Sequence, residues 1–170
     1  DECLWYSDHH SWPCNAQGDL VRLKLPRNNL IGQLPEELGL LSSLEEIHLG
    51  GNDLVGSIPE SLGQLKKLET LDLSWSDIDG VIPPSLGQAT SLRRIHFVGS
   101  ASLQGSVPPE LGQLLHLHDL LLARTDLTGA VPDAVCSLDL QEVWANCDEL
   151  ACPCCNYCCY NESIETCRYV

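Results

Sequence analysis

Six cysteines stand close together near the end of the chain, in the stretch CPCCNYCCYNESIETC that runs from Cys152 to Cys167. Thiol groups at this spacing could bind a metal ion, carry out thiol–disulfide exchange or form permanent disulfides. The C-x-x-C pair of Cys155 and Cys158 lacks the βαβ setting that favours redox chemistry, and an oxidising compartment favours disulfides over metal loading. We therefore predict a disulfide-bonded end to the chain, with a metal cluster and a redox site as the weaker alternatives.

The chain has ten cysteines among its 170 residues, an even and high number that is typical of secreted proteins. Cys136 and Cys147 precede the terminal cluster, and we expect them to connect the last part of the fold to the tail. Their pairing cannot be derived from sequence. The candidate disulfide cysteines are Cys3, Cys14, Cys136, Cys147, Cys152, Cys154, Cys155, Cys158, Cys159 and Cys167.

A repeat of about 24 residues precedes this tail and must position it, with units that begin at Leu20, Leu44, Leu68, Leu92, Leu117 and Leu140. Each unit opens with an L-x-x-L-x-L pattern, and most units continue with a G-x-apolar-Pro stretch and close with Leu-Gly. The alternation predicts a short strand with one apolar face, which a single unit cannot bury. The units must therefore stack into a solenoid with a continuous core.

The segments NNLIGQLPEELGLLSSL and NDLVGSIPESLGQLKKL resemble the plant-type leucine-rich repeat of receptor-kinase ectodomains and polygalacturonase-inhibiting proteins. The resemblance implies an α/β solenoid, a right-handed superhelix with a parallel β-sheet on its concave face and short 3-10 or helical turns on its convex side. It also implies disulfide-bonded caps and a second small sheet near the L-x-G-x-I-P stretch. The expected parts are an N-terminal cap at 1–19, six repeats at 20–150 and a cysteine-rich cap at 151–170.

The two ends of the solenoid resemble known caps. CLWYSDHHSWPC is similar to the N-terminal cap of plant-type repeats, which implies a Cys3–Cys14 disulfide with Trp5 or Trp12 over the end of the core. The CPCC-x-x-CC ending resembles that of leucine-rich-repeat proteins of diatoms and related algae. The asparagine ladder of the family is present as Asn28 and Asn52, and we expect it to weaken where the equivalents are Ser76, Ser100 or Ala101, Thr125 and Asp148.

The repeat register predicts which side chains point off the concave face. Six of the nine basic residues fall there, beside exposed apolar groups and interrupted by Glu45, Glu46 and Glu69. This mosaic favours a partner with some anionic groups, although a solvated face without a partner is the simpler alternative. The candidate binding residues are Arg22, Lys24, Arg27, His48, Asp72, Trp75, Arg93, Arg94, His96, Leu121, Arg124 and Trp144.

His48, Asp72 and His96 would lie in line on adjacent strands. Such a row could hold a metal ion, but a solvated cross-strand set with a favourable His–Asp pair is commoner, so we predict no metal and no cofactor. The sequence has no G-x-S-x-G, phosphate-binding glycine loop or H-E-x-x-H motif, and we therefore do not expect an enzyme.

The net charge of −15 argues against nucleic-acid binding, and no apolar run approaches the roughly 20 residues of a membrane span. The acidic start DECLWYSDHH is unlike a signal peptide. With the cysteines and the glycosylation acceptor at Asn161, this indicates a mature extracellular glycoprotein, secreted or held at the cell surface or wall.

Two classes of function follow. The first is a recognition module that binds a protein, a peptide or a cell-wall glycan on the concave face. The alternative is a structural subunit of an extracellular wall, sheath or self-assembling surface filament, since head-to-tail contacts generate open assemblies. A third possibility is that the chain is a fragment of a larger receptor.

Overall fold

The computed structural model describes residues 13–159 and 167–169, with the backbone alone for Cys167 and Arg168. Eight short strands form one long sheet in the order β1, β3, β5, β7, β9, β12, β14, β15. They are β1 (Arg22–Lys24), β3 (Glu46–His48), β5 (Thr70–Asp72), β7 (Arg94–His96), β9 (Asp119–Leu121), β12 (Glu142–Ala145), β14 (Tyr157–Cys159) and β15 (Cys167–Tyr169). Neighbouring strands are parallel, apart from the antiparallel pair β14 and β15.

The predicted second sheet is present on the other side of the coil. β2 (Ile31–Gln33), β4 (Asp53–Ser57) and β6 (Asp77–Asp79) form a parallel three-stranded sheet. β8 (Gln104–Gly105) pairs with β10 (Asp126–Leu127), and β11 (Gly129–Ala130) pairs with β13 (Leu150–Ala151). Glycine is needed here, since Gly56 has φ 77° and a Cβ on it would lie 2.9 Å from Cγ of Gln33.

Single 3-10 turns return the chain in the first four repeats, at Glu36–Leu40, Glu60–Gln64, Pro84–Gln88 and Pro109–Gln113. The fifth repeat has the α-helix α1 (Asp133–Cys136) instead. A proline precedes each turn, where a missing N–H costs nothing. The Leu-Gly glycine allows adjacent turns to approach, because a Cβ on Gly63 would collide with the Ser85 carbonyl group.

The core is a column of aliphatic side chains between the long sheet and the turns. In the strands of the repeats the middle residue points inward, and Ile47, Leu71, Ile95 and Leu120 are at most 1% exposed. Phe97, the single phenylalanine of the chain, is buried in the same column. The stacked-repeat solenoid with short helical turns is therefore confirmed. Within the described residues, no helix is long and apolar enough to cross a membrane.

The asparagine ladder is strong at one rung and weak at the next ones. The buried Asn52 side chain accepts hydrogen bonds from the N–H groups of Asn28 and Leu30, and donates to the carbonyl groups of Leu25 and Leu49. Its smaller equivalents make fewer bonds. Ser100 and Thr125 each donate one bond to a backbone carbonyl, whereas the buried Ser76 hydroxyl has no partner among the described residues.

The last rung differs from the sequence-based assignment. Asp148 is exposed, and Asn146 bonds backbone groups of the preceding repeat instead. The Asn156 side chain likewise accepts a hydrogen bond from the N–H of Val143. The ladder therefore becomes weak in the middle of the solenoid and recovers near its C-terminal end, because Asn146 in the sixth repeat and Asn156 in the tail bond the backbone from outside the repeat pattern.

Disulfides join the tail to the last repeats. Cys136 pairs with Cys154 and Cys147 with Cys158, while Cys152 pairs with Cys155 inside the tail. The C-x-x-C spacing of Cys155 and Cys158 is therefore not used as a pair. A disulfide-bonded C-terminal region is thus confirmed.

The tail is also part of the long sheet, since β14 pairs with β12. Cys14 and Cys159 are disulfide-bonded as well. Of the other predicted cap and tail features, Cys3, Trp5, Trp12 and Asn161 lie outside the described residues.

Candidate functional site

The long sheet carries two in-register rows of side chains on its outer face, all at least partly exposed except the buried Thr70, and we call them together the sheet face. In the repeats they flank the inward-facing middle residue of each strand, and neighbouring members are separated by one strand spacing of about 4.8 Å. The first row is Arg22, Glu46, Thr70, Arg94, Asp119 and Glu142. The second row is Lys24, His48, Asp72, His96, Leu121, Trp144, Tyr157 and Tyr169.

Charges near the first strands neutralise one another around Glu46. Its carboxylate lies 2.7 Å from Nζ of Lys24, 3.0 Å from Nε of Arg22 and 3.1 Å from Nε2 of His48. Burial alone would raise the pKa of Glu46, but the hydrogen bonds from Lys24, Arg22 and His48 outweigh it and lower the pKa to about 2. Two of the predicted cationic contacts are therefore already occupied within the protein.

The row of His48, Asp72 and His96 is a cross-strand polar set. Nδ1 of His48 lies 3.8 Å from the Asp72 carboxylate, which also accepts a hydrogen bond from the N–H of Ser74. Burial alone would raise the pKa of Asp72, but the adjacent His48 ring and the hydrogen bond from the N–H of Ser74 outweigh this and lower the pKa. Burial lowers the pKa of His96. Among the described residues, no group of three or more His, Cys, Asp or Glu side chains could hold a metal ion.

The last three residues of the second row are aromatic. The ring centroids of Trp144 and Tyr157 are 5.1 Å apart, and those of Tyr157 and Tyr169 are 5.5 Å apart. Tyr169 is 76% exposed, whereas Trp144 and Leu121 are partly buried and pack against a small buried cluster. The sequence analysis included Trp144 and Leu121 but missed the two tyrosines. Their strands lack the L-x-x-L-x-L pattern, so the repeat register could not predict that these tyrosines extend the row.

A second feature, which we call the ridge, borders the sheet face just after the strands. It consists of Arg27, Gly51, Trp75, Gly99 and Arg124, one from each of five repeats. All five adopt the left-handed conformation, with φ of 52°, 74°, 57°, 77° and 60° respectively. For a residue other than glycine this conformation costs about 1–2 kcal/mol, so three large side chains are held in strained backbone.

Side chains and glycines of the ridge fit one another. The Trp75 ring lies over Gly99, where a Cβ would be 2.5 Å from its Cε3 atom. The Arg27 side chain lies over Gly51, where a Cβ would be 2.8 Å from its Cγ. The Arg124 guanidinium group stacks 4.8 Å from the centroid of the Trp75 ring, yet Trp75 remains 45% exposed.

The predicted basic residues thus fall into two groups, those paired with a carboxylate and those without such a partner among the described residues. Nε of Arg93 lies 3.8 Å from the Glu69 carboxylate, and both groups are about half exposed. Arg94 donates a hydrogen bond from Nε to the Thr70 hydroxyl. Within the described residues, no carboxylate forms an ion pair with the three remaining guanidinium groups, those of Arg27, Arg94 and Arg124.

Comparison with known proteins supports the architecture. The profile of a family described as leucine rich repeat matches residues 19–78. No curated protein matches the chain. Among solved structures, one similar chain belongs to the BIR3–SERK2 complex from Arabidopsis thaliana. It is 30% identical with a TM-score of 0.64, and the match covers 88% of this chain and 77% of that one.

Two receptor kinases from Arabidopsis are also similar. The leucine-rich-repeat ectodomain of GASSHO1/SCHENGEN3, solved with CASPARIAN STRIP INTEGRITY FACTOR 2, is 31% identical with a TM-score of 0.67 over 78% of this chain. HAESA, solved with the peptide hormone IDA and the co-receptor SERK1, is 27% identical with a TM-score of 0.70 over 89% of this chain. The present chain spans 15% and 28% of the lengths of these two receptor chains.

Proposed function

The chain belongs to the leucine-rich-repeat family, and from this premise we propose that it is an extracellular, non-catalytic recognition module that binds a polypeptide across its sheet face. The similarity to a receptor kinase solved with a peptide hormone supports a polypeptide as the ligand class. The ectodomain neighbour and the disulfides support a secreted or cell-surface location.

The observation that carries this proposal is that the sheet face has two different parts, one where the charges are paired within the protein and one where an arginine and aromatic rings remain available. Near Glu46 the charges satisfy one another, so that region offers little to a partner. Farther along, Arg94 has no carboxylate partner among the described residues, and the aromatic row of Trp144, Tyr157 and Tyr169 follows it. Trp, Tyr and Arg are the residues that most often dominate binding energy at interfaces.

An extended peptide that crosses the strands fits this arrangement. Arg94 and Tyr169 lie on strands four places apart in the long sheet, a distance of about 19 Å at 4.8 Å per strand. Six residues of extended peptide span about 20 Å at 3.3 Å per residue. The favoured ligand therefore has a carboxylate over Arg94 and apolar side chains against the tyrosines.

Selection from a random dodecapeptide library displayed on phage would test this function with the unreduced protein. We expect enriched peptides that bind at least tenfold more weakly to the double variant Arg94→Ala/Tyr169→Ala. Ile31→Ala is the matched control, because Ile31 is 83% exposed in the second sheet. A library without enriched peptides, or peptides that bind the double variant equally well, would contradict the proposal.

The role of a structural subunit in a wall or filament remains the alternative. Light scattering of the unreduced protein separates the two functions, since a recognition module gives a single species near 18.6 kDa plus any glycan. Large assemblies would favour the structural role.

A further inference from the structure

Three residues of the ridge keep a strained left-handed backbone, although glycine at their positions would relieve the strain. Two of the five equivalent positions are Gly51 and Gly99, for which a left-handed backbone is easy. The other three carry Arg27, Trp75 and Arg124 in the same conformation. Residues held in unfavourable backbone conformations are concentrated at functional sites, so these three side chains call for a function beyond the fold.

The large residues and glycines of the ridge alternate, so that each glycine leaves space for a neighbouring large side chain. Gly99 leaves room for the Trp75 ring, and Gly51 leaves room for the Arg27 side chain. Arg124 then holds the ring from the next repeat but one by a cation–π contact. Trp75 is consequently both fixed in place and 45% exposed, as a stacking platform for a ligand must be.

Polar grooves lie on both sides of this platform. On one side, Arg27, Asp72 and Ser74 line a groove whose floor is the backbone of Gly50 and Gly51. On the other side, the lining includes Arg124, Asp126, Asp148 and Glu149. Each groove therefore combines guanidinium donors with carboxylate acceptors.

This mixture of charges selects the chemistry of the ligand. A polyanion would meet carboxylates in both grooves, and a polycation would meet an arginine in each. Neutral hydroxyl groups avoid either repulsion, since each one can donate to a carboxylate and accept from a guanidinium group. A pyranose ring adds an apolar C–H face that can stack on an indole.

We propose that the ridge is a binding subsite for neutral oligosaccharides, with a pyranose ring stacked on Trp75 and its hydroxyl groups bonded in the two flanking grooves. This site lies beside the sheet face and goes beyond the polypeptide recognition proposed above. Arg27 and Arg124 are four strands apart, or about 19 Å at 4.8 Å per strand, so an extended oligosaccharide of several sugars is needed to reach both.

Titration calorimetry with the full, unreduced chain tests the proposal. The probes are neutral hexasaccharides of glucose, xylose or mannose, with a hexauronate as the anionic comparison. Trp75→Gly is the informative variant, because glycine already occupies the equivalent positions 51 and 99 and accepts the left-handed backbone. We expect at least one neutral probe to bind, and the variant to lose at least tenfold in affinity while it remains folded.

Ile31→Ala removes an exposed apolar side chain away from the ridge and should leave saccharide affinity unchanged. Three results would overturn the proposal: no neutral hexasaccharide binds, Trp75→Gly binds as well as the unsubstituted protein, or the hexauronate alone binds. Far-UV circular dichroism confirms that the variant is folded, so that a lost affinity can be assigned to the missing indole ring.

Discussion

Replacement of Asn52 by alanine should destabilise the solenoid far more than the same change at Ser76, one repeat later. The Asn52 side chain is 3% exposed and makes four hydrogen bonds, to Asn28, Leu30, Leu25 and Leu49, at 2.6–3.0 Å. At about 1 kcal/mol for each bond the loss would be about 4 kcal/mol, and water that reaches the part-buried N–H groups lowers this to about 3 kcal/mol. That is a large share of the roughly 5–15 kcal/mol by which domains are stable.

Ser76 provides the matched control inside the same ladder. Its hydroxyl is buried without a hydrogen-bond partner among the described residues, so Ser76→Ala removes an unsatisfied group. We expect a change within about 0.5 kcal/mol or a slight gain in stability.

Urea denaturation of the unreduced proteins, followed by circular dichroism and by tryptophan fluorescence, measures both variants. Agreement of the two probes is needed, because stacked repeats can unfold in parts. A loss below about 1 kcal/mol for Asn52→Ala, or an equal loss for Ser76→Ala, would refute the assignment of the ladder's stability to the Asn52 hydrogen bonds.

Three further predictions concern the charges, the turns and the tail. Because the pKa of Glu46 is lowered from 4.5 to about 2, its stabilising effect is present above pH 4.5 and is lost as the pH falls towards 2. In Glu46→Gln the free energy of unfolding in urea should therefore depend less on pH between 4.5 and 2. The same pH dependence as in the unsubstituted protein would count against the ion network. Gly63→Ala should cost about 1–3 kcal/mol, because its Cβ would collide with the Ser85 carbonyl group in the next turn; an unchanged stability in urea would contradict the close packing of the turns. Double replacement of Cys136 and Cys154 by alanine should cost about 3 kcal/mol by opening an 18-residue loop, and an unchanged melting temperature would show that the bond does not stabilise the cap.

Most of the fold could be predicted from the residue pattern within each repeat. The L-x-x-L-x-L pattern predicted the strands of the six repeats and the inward direction of their middle residues. Glycine and proline in the first five units predicted the bends and the start of each turn, because their backbone freedom and their missing N–H act within a few residues. The in-register row from Lys24 to Trp144 follows from the same period.

The candidate sites were only partly accessible to the same reasoning. Arg22 and Lys24 were expected to face a partner, yet both bond Glu46 on the neighbouring strand. Trp75 and Arg124 were expected on one face, but their stacking depends on where two side chains meet across an intervening repeat. Tyr157 and Tyr169 were missed, since no repeat pattern places the tail on the sheet.

Sequence alone therefore determined the repeat, its strands and turns, and the residue types along the solvent-facing rows, because these depend on spacing along the chain. Tertiary structure alone decided the pairing of the described cysteines, the Asn146 rung, the neutralisation around Glu46 and the fit of Trp75 over Gly99. Each of these depends on side-chain directions and distances between atoms that are far apart in sequence. A period of 24 residues brings such groups to adjacent coils, and only the packed coil decides which of them touch.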